Sequence, residues 1–268
     1  MPDRQENQRR LSFDRDPVEY AVGRPPYPSQ IFDLLARDCA LGSECDVLEI
    51  GPGTGQATDA LLAAGASVVA VEPGPRLADH LRERFPGQKL RVIDGDIEQA
   101  DISPGAYRLC VAATSLHWVN LPVALPRIAA ALTADGVLAA WWTVYDAPDQ
   151  PPTAFRTALD ALYVRHLPGE VREPGLPLPM RTPQWQARLA EGGWFEPAQV
   201  DTIRWTNQLT PTSARRLWAT FPNVAELAPG SRKRFLDAIA ATVDDLGGLV
   251  DDPCVTIMYR ARRRVPAS

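Results

Sequence analysis

Between residues 46 and 144 the chain alternates short apolar runs with stretches whose apolar residues recur at helical spacing. The run DVLEI is continuous and stops at Gly51, as a strand covered on both faces does. From Gln56 to Ala64 the apolar positions recur every three or four residues and end at Gly65, a residue type that closes helices. The succession then repeats. ASVVAVE reads as a strand, PRLADHLRERF as a helix with Pro75 in its first turn, and KLRVIDGD and YRLCVAAT as strands. LPVALPRIAAAL reads as a helix and GVLAAWWTV as the strand that follows it. Strands and helices joined by short connections predict an α/β fold built on a mainly parallel, doubly wound sheet.

The flanks read differently. YAVGRPPYP is expected to be extended, because prolines at 25, 26 and 28 disfavour helix, and SQIFDLLARDCA after it is an amphipathic helix. Beyond Tyr145 the alternation stops. Phe155 to His166 reads as a helix, PGEVREPGLPLPMRTP as an exposed loop, and Thr212 to Leu246 as two helices joined near Pro229–Gly230. PAQVDTIRWT and CVTIMYRARR read as two late strands. The pattern is that of one core with helical additions after the fifth strand, without internal repeats.

Composition narrows the partners. With 28 Lys and Arg against 33 Asp and Glu, the net charge is −5, so nothing favours a polyanion and no nucleic-acid partner is expected. The opening MPDRQENQRR lacks the apolar stretch of a signal peptide, and the longest apolar run, around Val137 to Trp142, is too short to span a bilayer. Cys39, Cys45, Cys110 and Cys254 form no C-x-x-C pair and no Cys/His zinc spacing. They read as buried free thiols, which gives the expectation of a cytoplasmic protein without a metal or a membrane anchor.

The candidate chemistry lies in Glu49-Ile50-Gly51-Pro52-Gly53-Thr54-Gly55, between a strand and a helix. Glycines there allow positive φ and let a ligand approach the backbone. The helix N-terminus behind them offers free N–H groups. Glu72 closes the next strand, where a carboxylate can accept both hydroxyls of a ribose. The spacing is G-x-G-x-G, not the G-x-G-x-x-G that seats a pyrophosphate. Glu49, just before the turn, would repel a phosphate and suit a cationic amine. A ligand with a ribose, a positive amine and no phosphate fits S-adenosyl-L-methionine.

On these residues the sequence resembles the class I S-adenosylmethionine-dependent methyltransferases. VLEIGPGTGQATDALLAAGASVVAVEP is similar to their first two motifs, and Asp94-Gly95-Asp96-Ile97 to the third. The likeness is to small-molecule members of the methyltransferase type 11 group, and YAVGRPPYP resembles a leader in relatives of trans-aconitate methyltransferase. It implies a Rossmann-like, seven-stranded sheet with an antiparallel last strand and helical cap insertions, forming one domain over 1–268. Within it, 13–45 would be an N-terminal arm and helix, 46–145 the cofactor-binding core, and 146–268 the cap helices and last strands. It implies that Asp96 holds the adenine amine, that the Ile97 N–H meets a ring nitrogen, and that Leu77 packs on the adenine beside Pro73. Ala113-Thr114-Ser115-Leu116-His117-Trp118 is similar to the segment that borders the transferred methyl group.

Methyl transfer is an in-line displacement, governed by alignment and exclusion of water, with a general base needed by some acceptors. Of His80, His117 and His166, only His117 falls at the C-terminal edge of the sheet, where it could serve as base or as pocket wall. His80 reads as a solvated helix residue and His166 as the end of a helix. Tyr20, Arg24 and Tyr27 would fold over the cofactor, with Arg24 or a phenol reaching a carboxylate. Trp118 is the aromatic candidate for the acceptor wall. The expected activity is methyl transfer to O, N or C of a small-molecule acceptor, by a monomer or homodimer. Alternatives are an NAD(P)-dependent dehydrogenase on a similar sheet and a catalytically silent S-adenosylmethionine-binding regulator.

Overall fold

The computed structural model of the protein describes residues 17–169 and 175–265. The opening decapeptide, the first residues of the expected arm and part of PGEVREPGLPLPMRTP lie outside the described residues. The apolar run DVLEI forms β1 (Asp46–Ile50), buried at every position after the first. Its side chains alternate between two cores, as strand geometry requires. Val47 packs with Ile31 and Leu35 of α2 (Ser29–Cys39) and with Ala57 and Leu61 of α3 (Gln56–Ala63). Leu48 and Ile50 pack instead with Leu125 and Ile128 of α5 (Leu121–Ala131). Each core buries apolar surface at roughly 25 cal/mol per Å², and the sheet between them is covered on both faces.

The sheet contains seven strands in the order β3-β2-β1-β4-β5-β7-β6. Alongside β1 they are β2 (Ser67–Glu72), β3 (Leu90–Asp94), β4 (Tyr107–Ala113), β5 (Leu132–Val144), β6 (Gln199–Leu209) and β7 (Val250–Arg262). The pairs from β3 to β5 are parallel, and α4 (Pro75–Arg84) supplies the crossover from β2 to β3. β7 runs antiparallel to β5, as the expected last strand does, and β6 pairs antiparallel beyond it. The predicted strands and core helices are therefore present.

The flanks depart from the pattern reading. Tyr20 lies on a helix, α1 (Pro17–Gly23), and not on extended chain. The prolines that disfavour helix begin at 25, after α1 ends, and Glu19 places a negative charge in its first turn. Gly23 lets α1 lie directly on α8 (Pro211–Ala219): a Cβ there would meet Thr220 Cγ2 at 2.5 Å and the Arg216 carbonyl oxygen at 2.7 Å. A helix not anticipated from the sequence, α7 (Thr182–Ala190), takes up the last two residues of the stretch expected as a loop, with Pro183 in its first turn. The two expected late helices are α8 and α10 (Pro229–Asp245), with the short α9 (Pro222–Ala225) between them.

The additions have their own core, in which Phe155 and Leu159 of α6 (Ala154–His166) meet Trp218, Phe235 and Ile239. α6 is tied to the sheet by a buried ion pair: Arg156 Nε and Nη2 donate to the two Asp252 carboxylate oxygens at 2.5 and 2.7 Å. The Asp252 side chain is fully buried, and burial raises its carboxyl above the ordinary range against the opposing Arg156 charge. No helix among the described residues is long and apolar enough to cross a membrane. All four cysteines are free and buried.

Removing one partner of such a pair strands a charge. Arg156→Met is therefore expected to lower unfolding free energy by about 3–5 kcal/mol. Arg156→Met with Asp252→Leu should recover most of the loss. Urea denaturation of both variants checks this, and equal stabilities for the single and double variants would contradict it.

Candidate functional site

The C-terminal ends of β1, β2, β4 and β5 open into one cavity of about 460 Å³. That edge of a doubly wound sheet is where ligands bind, and the volume lies in the range of small-molecule sites. Gly51 and Gly53 line it at φ of +61° and +60°. A Cβ on Gly51 would meet Ser115 Cβ at 2.8 Å, whereas one on Gly53 would find no protein atom within 4 Å. The turn is thus packed against the segment after β4 on one side and open to a ligand on the other. Ser115 locks that contact by donating its hydroxyl to the Ile50 carbonyl.

Glu72 joins the turn to the neighbouring strand end. Its Oε2 accepts from the Gly53 N–H at 3.0 Å and its Oε1 from the Gly74 N–H at 2.8 Å. Leu77, Ile97 and Val71 form an apolar wall beside it, with Pro52, Pro73, Asp96 and Ala113 also on the lining. Glu49 is placed elsewhere. It does not face the cavity where the expected amine would lie, but is fully buried behind the turn, with Oε2 accepting from the Thr58 hydroxyl at 2.7 Å. Its Oε1 has no hydrogen-bond partner. Burial pushes its carboxyl up to about 7 against the Thr58 hydrogen bond, and the Glu72 charge adds to the rise. Thr54 and Gly55 also sit behind the wall. Thr54 donates to Gln56 Oε1 at 2.8 Å, and Gly55 N–H closes on the Pro52 carbonyl at 3.0 Å.

The arm covers the other side. Tyr27 and Thr114 share a hydrogen bond of 3.0 Å between their hydroxyls, and the Tyr27 ring meets Trp141 edge-on at 5.6 Å. Thr114 holds φ at +55°, an unusual value for a β-branched residue, with its N–H on the Trp141 carbonyl at 2.7 Å. The Arg24 guanidinium carbon lies 4.6 Å from the Phe221 ring centre, 5.2 Å from Tyr145 and 5.4 Å from Tyr20. Its Nε is buried without a partner. Burial works against the Arg24 charge, and the phenols of Tyr20 and Tyr145 offset it. Burial also raises the Tyr27 phenol far above its usual value, so that it remains a neutral hydroxyl.

His117 and Trp118 line the far wall on the turn after β4. His117 Nδ1 accepts from the Trp142 indole N–H at 2.9 Å. Burial, with the Arg188 charge adding, depresses the His117 imidazole to about 4. His80 and His166 do not line the cavity. His80 is half-buried in α4 and not solvated as expected, and His166 ends α6 with its ring 5.7 Å from Phe235. Gln56, Glu98, Ser115, Trp142, Tyr145 and Phe221 line the cavity without having been singled out from the sequence. The position of Trp142 and Tyr145 at the end of β5 was a usable signal, whereas Phe221 had none. No group of three or more His, Cys, Asp or Glu among the described residues is arranged to hold a metal ion.

A glycine turn at the end of β1, an acidic side chain at the end of β2 and a cavity between them suit an α/β protein for an adenosine-bearing ligand. The chain matches the methyltransferase domain family over residues 48–140. It is 30% identical over 258 residues to an uncharacterized methyltransferase of Mycobacterium tuberculosis, covering 94% of this chain and 95% of the relative. The fold is also that of a chain described as a type II methyltransferase from Anaeromyxobacter dehalogenans, with a TM-score of 0.62 at 19% identity, covering 91% and 99% of the two chains. It is shared with a Haemonchus contortus phosphoethanolamine N-methyltransferase solved with S-adenosylhomocysteine, with a TM-score of 0.57 at 14% identity, covering 98% and 60%. The chain belongs to the S-adenosyl-L-methionine-dependent methyltransferases, and that molecule is its cofactor.

The buried Glu49 makes stability depend on pH. Its carboxyl ordinarily titrates near 4.5 and here near 7. Between those values the native state keeps a proton that the unfolded chain has released, so stability falls as pH rises through that window. Glu49→Gln removes this contribution, on the order of 3 kcal/mol between pH 4.5 and 8. The melting temperature of the variant relative to wild type should rise by several degrees between pH 5 and pH 8. A difference independent of pH would contradict the assignment.

Proposed function

We propose that this methyltransferase acts on a small organic acceptor held in the cavity. The observation that carries the reading is the shared lining: Tyr20 and Arg24 of the arm, and Phe221 and Pro222 of the cap, line the same small cavity as Gly51, Gly53 and Glu72. A polymer would need an open channel and, if it were a nucleic acid, a basic surface. The net charge of −5 offers little support for the latter.

The residues on the lining suit the cofactor. The Glu72 carboxylate stands on the lining at the end of β2, where it accepts the ribose hydroxyls. Leu77, Ile97 and Pro73 bed the adenine, Asp96 accepts from its amine, and the Ile97 N–H meets a ring nitrogen. Gly51, Pro52 and Gly53 run beside the amino-acid portion, and Arg24 supplies the cation for its carboxylate. Tyr20 cages Arg24 and Tyr27 pins Thr114, while Ala113 and Thr114 border the methyl group. Glu49, Thr54 and Gly55 hold the turn from behind.

The cofactor supplies an electrophilic methyl group. The protein aligns the acceptor with it and excludes water, which is where catalysis of such a displacement lies. His117 and Trp118 wall the acceptor side, with Val119 and Val144 adding apolar surface.

S-adenosylhomocysteine should bind in calorimetry and NADH should not. Glu72→Ala should weaken that binding by about 1.5–3 kcal/mol, the range for hydrogen bonds to a charged group. Because Glu72 also ties Gly53 to Gly74, the variant should lose thermal stability as well. Label from methyl-labelled cofactor should appear in a mixture of small acids, phenols and amines. Label confined to added RNA would overturn the small-molecule reading.

A further inference from the structure

His117 and Trp142 are brought together from neighbouring parallel strands. β4 leads into the turn Leu116–Trp118, and Trp142 stands near the end of β5. An indole N–H can only donate, so the His117 Nδ1 that receives it at 2.9 Å carries a lone pair and no proton. In a neutral imidazole the proton then sits on Nε2. That nitrogen makes no hydrogen bond to a described residue, and the ring lies on the cavity wall.

The donor is held in place by packing. Trp142 is 3% exposed, its ring centre 4.3 Å from Trp185 and 6.0 Å from Tyr259. Tyr259 is fixed in turn by donating its hydroxyl to the Pro179 carbonyl at 2.7 Å. The Trp118 ring also lies against His117, tilted by 42° with ring centres 4.5 Å apart. The charged group that acts on His117 from the packed elements is Arg188 of α7, a cation that opposes protonation. Asp96 and Glu98 share the cavity lining, but among the described residues no carboxylate acts on His117 to hold a proton there.

We infer that Trp142 is a positioning residue that fixes His117 as an Nε2–H donor toward the acceptor, so that His117 binds a lone pair of the acceptor and does not take its proton. The inference rests on the methyltransferase reading and narrows its substrate class. The acceptor presents an oxygen or nitrogen with a free lone pair to His117, and its nucleophilic atom is unprotonated at neutral pH without help from this residue. The nucleophile's lone pair forms the new bond to the methyl carbon, the carbon–sulfur pair returns to sulfur, and no proton passes to His117. The phenols of Tyr27 and Tyr145, both raised by burial, stand as neutral hydroxyls and do not replace it as bases.

Histidine-labelled protein, free and with S-adenosylhomocysteine, tests this by nitrogen-15 NMR between pH 5 and 8. The chain has only His80, His117 and His166, and His117→Gln assigns the signal. The expected result is an Nε2-protonated His117 whose signals do not move across the range. Trp142→Phe frees Nδ1 from its donor and should therefore mix the tautomers, giving signals of both an Nε2- and an Nδ1-protonated ring. An Nδ1-protonated ring, or a wild-type titration near 6.5, would overturn the proposal. Should Trp142→Phe fail to fold, His117→Gln and His117→Asn separate the roles on whichever acceptor takes the label. Gln keeps a donor near the Nε2 position and should lose about 3–10-fold in kcat/KM, whereas Asn should lose roughly 100-fold, mainly in KM. A base would show a kcat loss of about 100-fold or more in both. Failure of S-adenosylhomocysteine to bind would count against the cofactor site, while the tautomer of the free protein would still decide this inference.

Discussion

The Glu72 carboxylate, receiving the N–H groups of Gly53 and Gly74, is the contact on which the rest of the site depends. Parallel strands end without a hairpin to close them, so the turns after β1 and β2 need another tie. A carboxylate placed between two backbone donors provides one, and charge-assisted hydrogen bonds of this kind are stronger than neutral ones. Glu72 also lies on the cavity lining, so the group that shapes the turn brings a charge to the site. Support and recognition are therefore not separable at Glu72. Behind the turn, Glu49 works differently: it is buried and held near neutrality, and it braces Thr58 in place of meeting a ligand.

Around that fixed floor, the lid comes from distant parts of the chain. The arm contributes Tyr20, Arg24 and Tyr27, and the cap contributes Phe221 and Pro222. Arg24 joins them, because its guanidinium lies among rings from α1, from the end of β5 and from the cap. A cation among aromatic rings is stabilised without being neutralised, which leaves its charge available to an anion. The close approach of Gly23 to Thr220 holds the arm against the cap core. The cap is in turn anchored on β7 through Arg156 and Asp252.

On the acceptor wall, electrostatics and hydrogen bonding act in one direction. Burial and Arg188 keep His117 uncharged, and the Trp142 N–H occupies the one lone pair of its neutral ring. A side chain that composition alone marks as an acid–base candidate thereby becomes a fixed donor. Residue type sets what a group could do, and its neighbours select which of those roles is open.

The sequence by itself determined the sheet strands, the helices between them, the glycine turn and the placement of Glu72 and Asp96 at strand ends. These features are local: a strand covered on both faces needs a continuous apolar run, and a turn at positive φ favours glycine. Tertiary structure decided the rest. α1 packs on α8 because Gly23 leaves room for it, a contact nearly two hundred residues distant in the chain. Glu49 faces inward because strand alternation and α3 place it beneath the turn, which a string of letters reading E-I-G-P-G does not disclose. β7 lies between β5 and β6, so the last strand in sequence is not the edge of the sheet. His117 and Trp142 meet only because β4 and β5 are adjacent, and neither residue's own neighbourhood in the chain names the other. Periodicity records what a segment buries, but not which distant segment it is buried against, and hydrogen-bond direction at the site follows from that second choice.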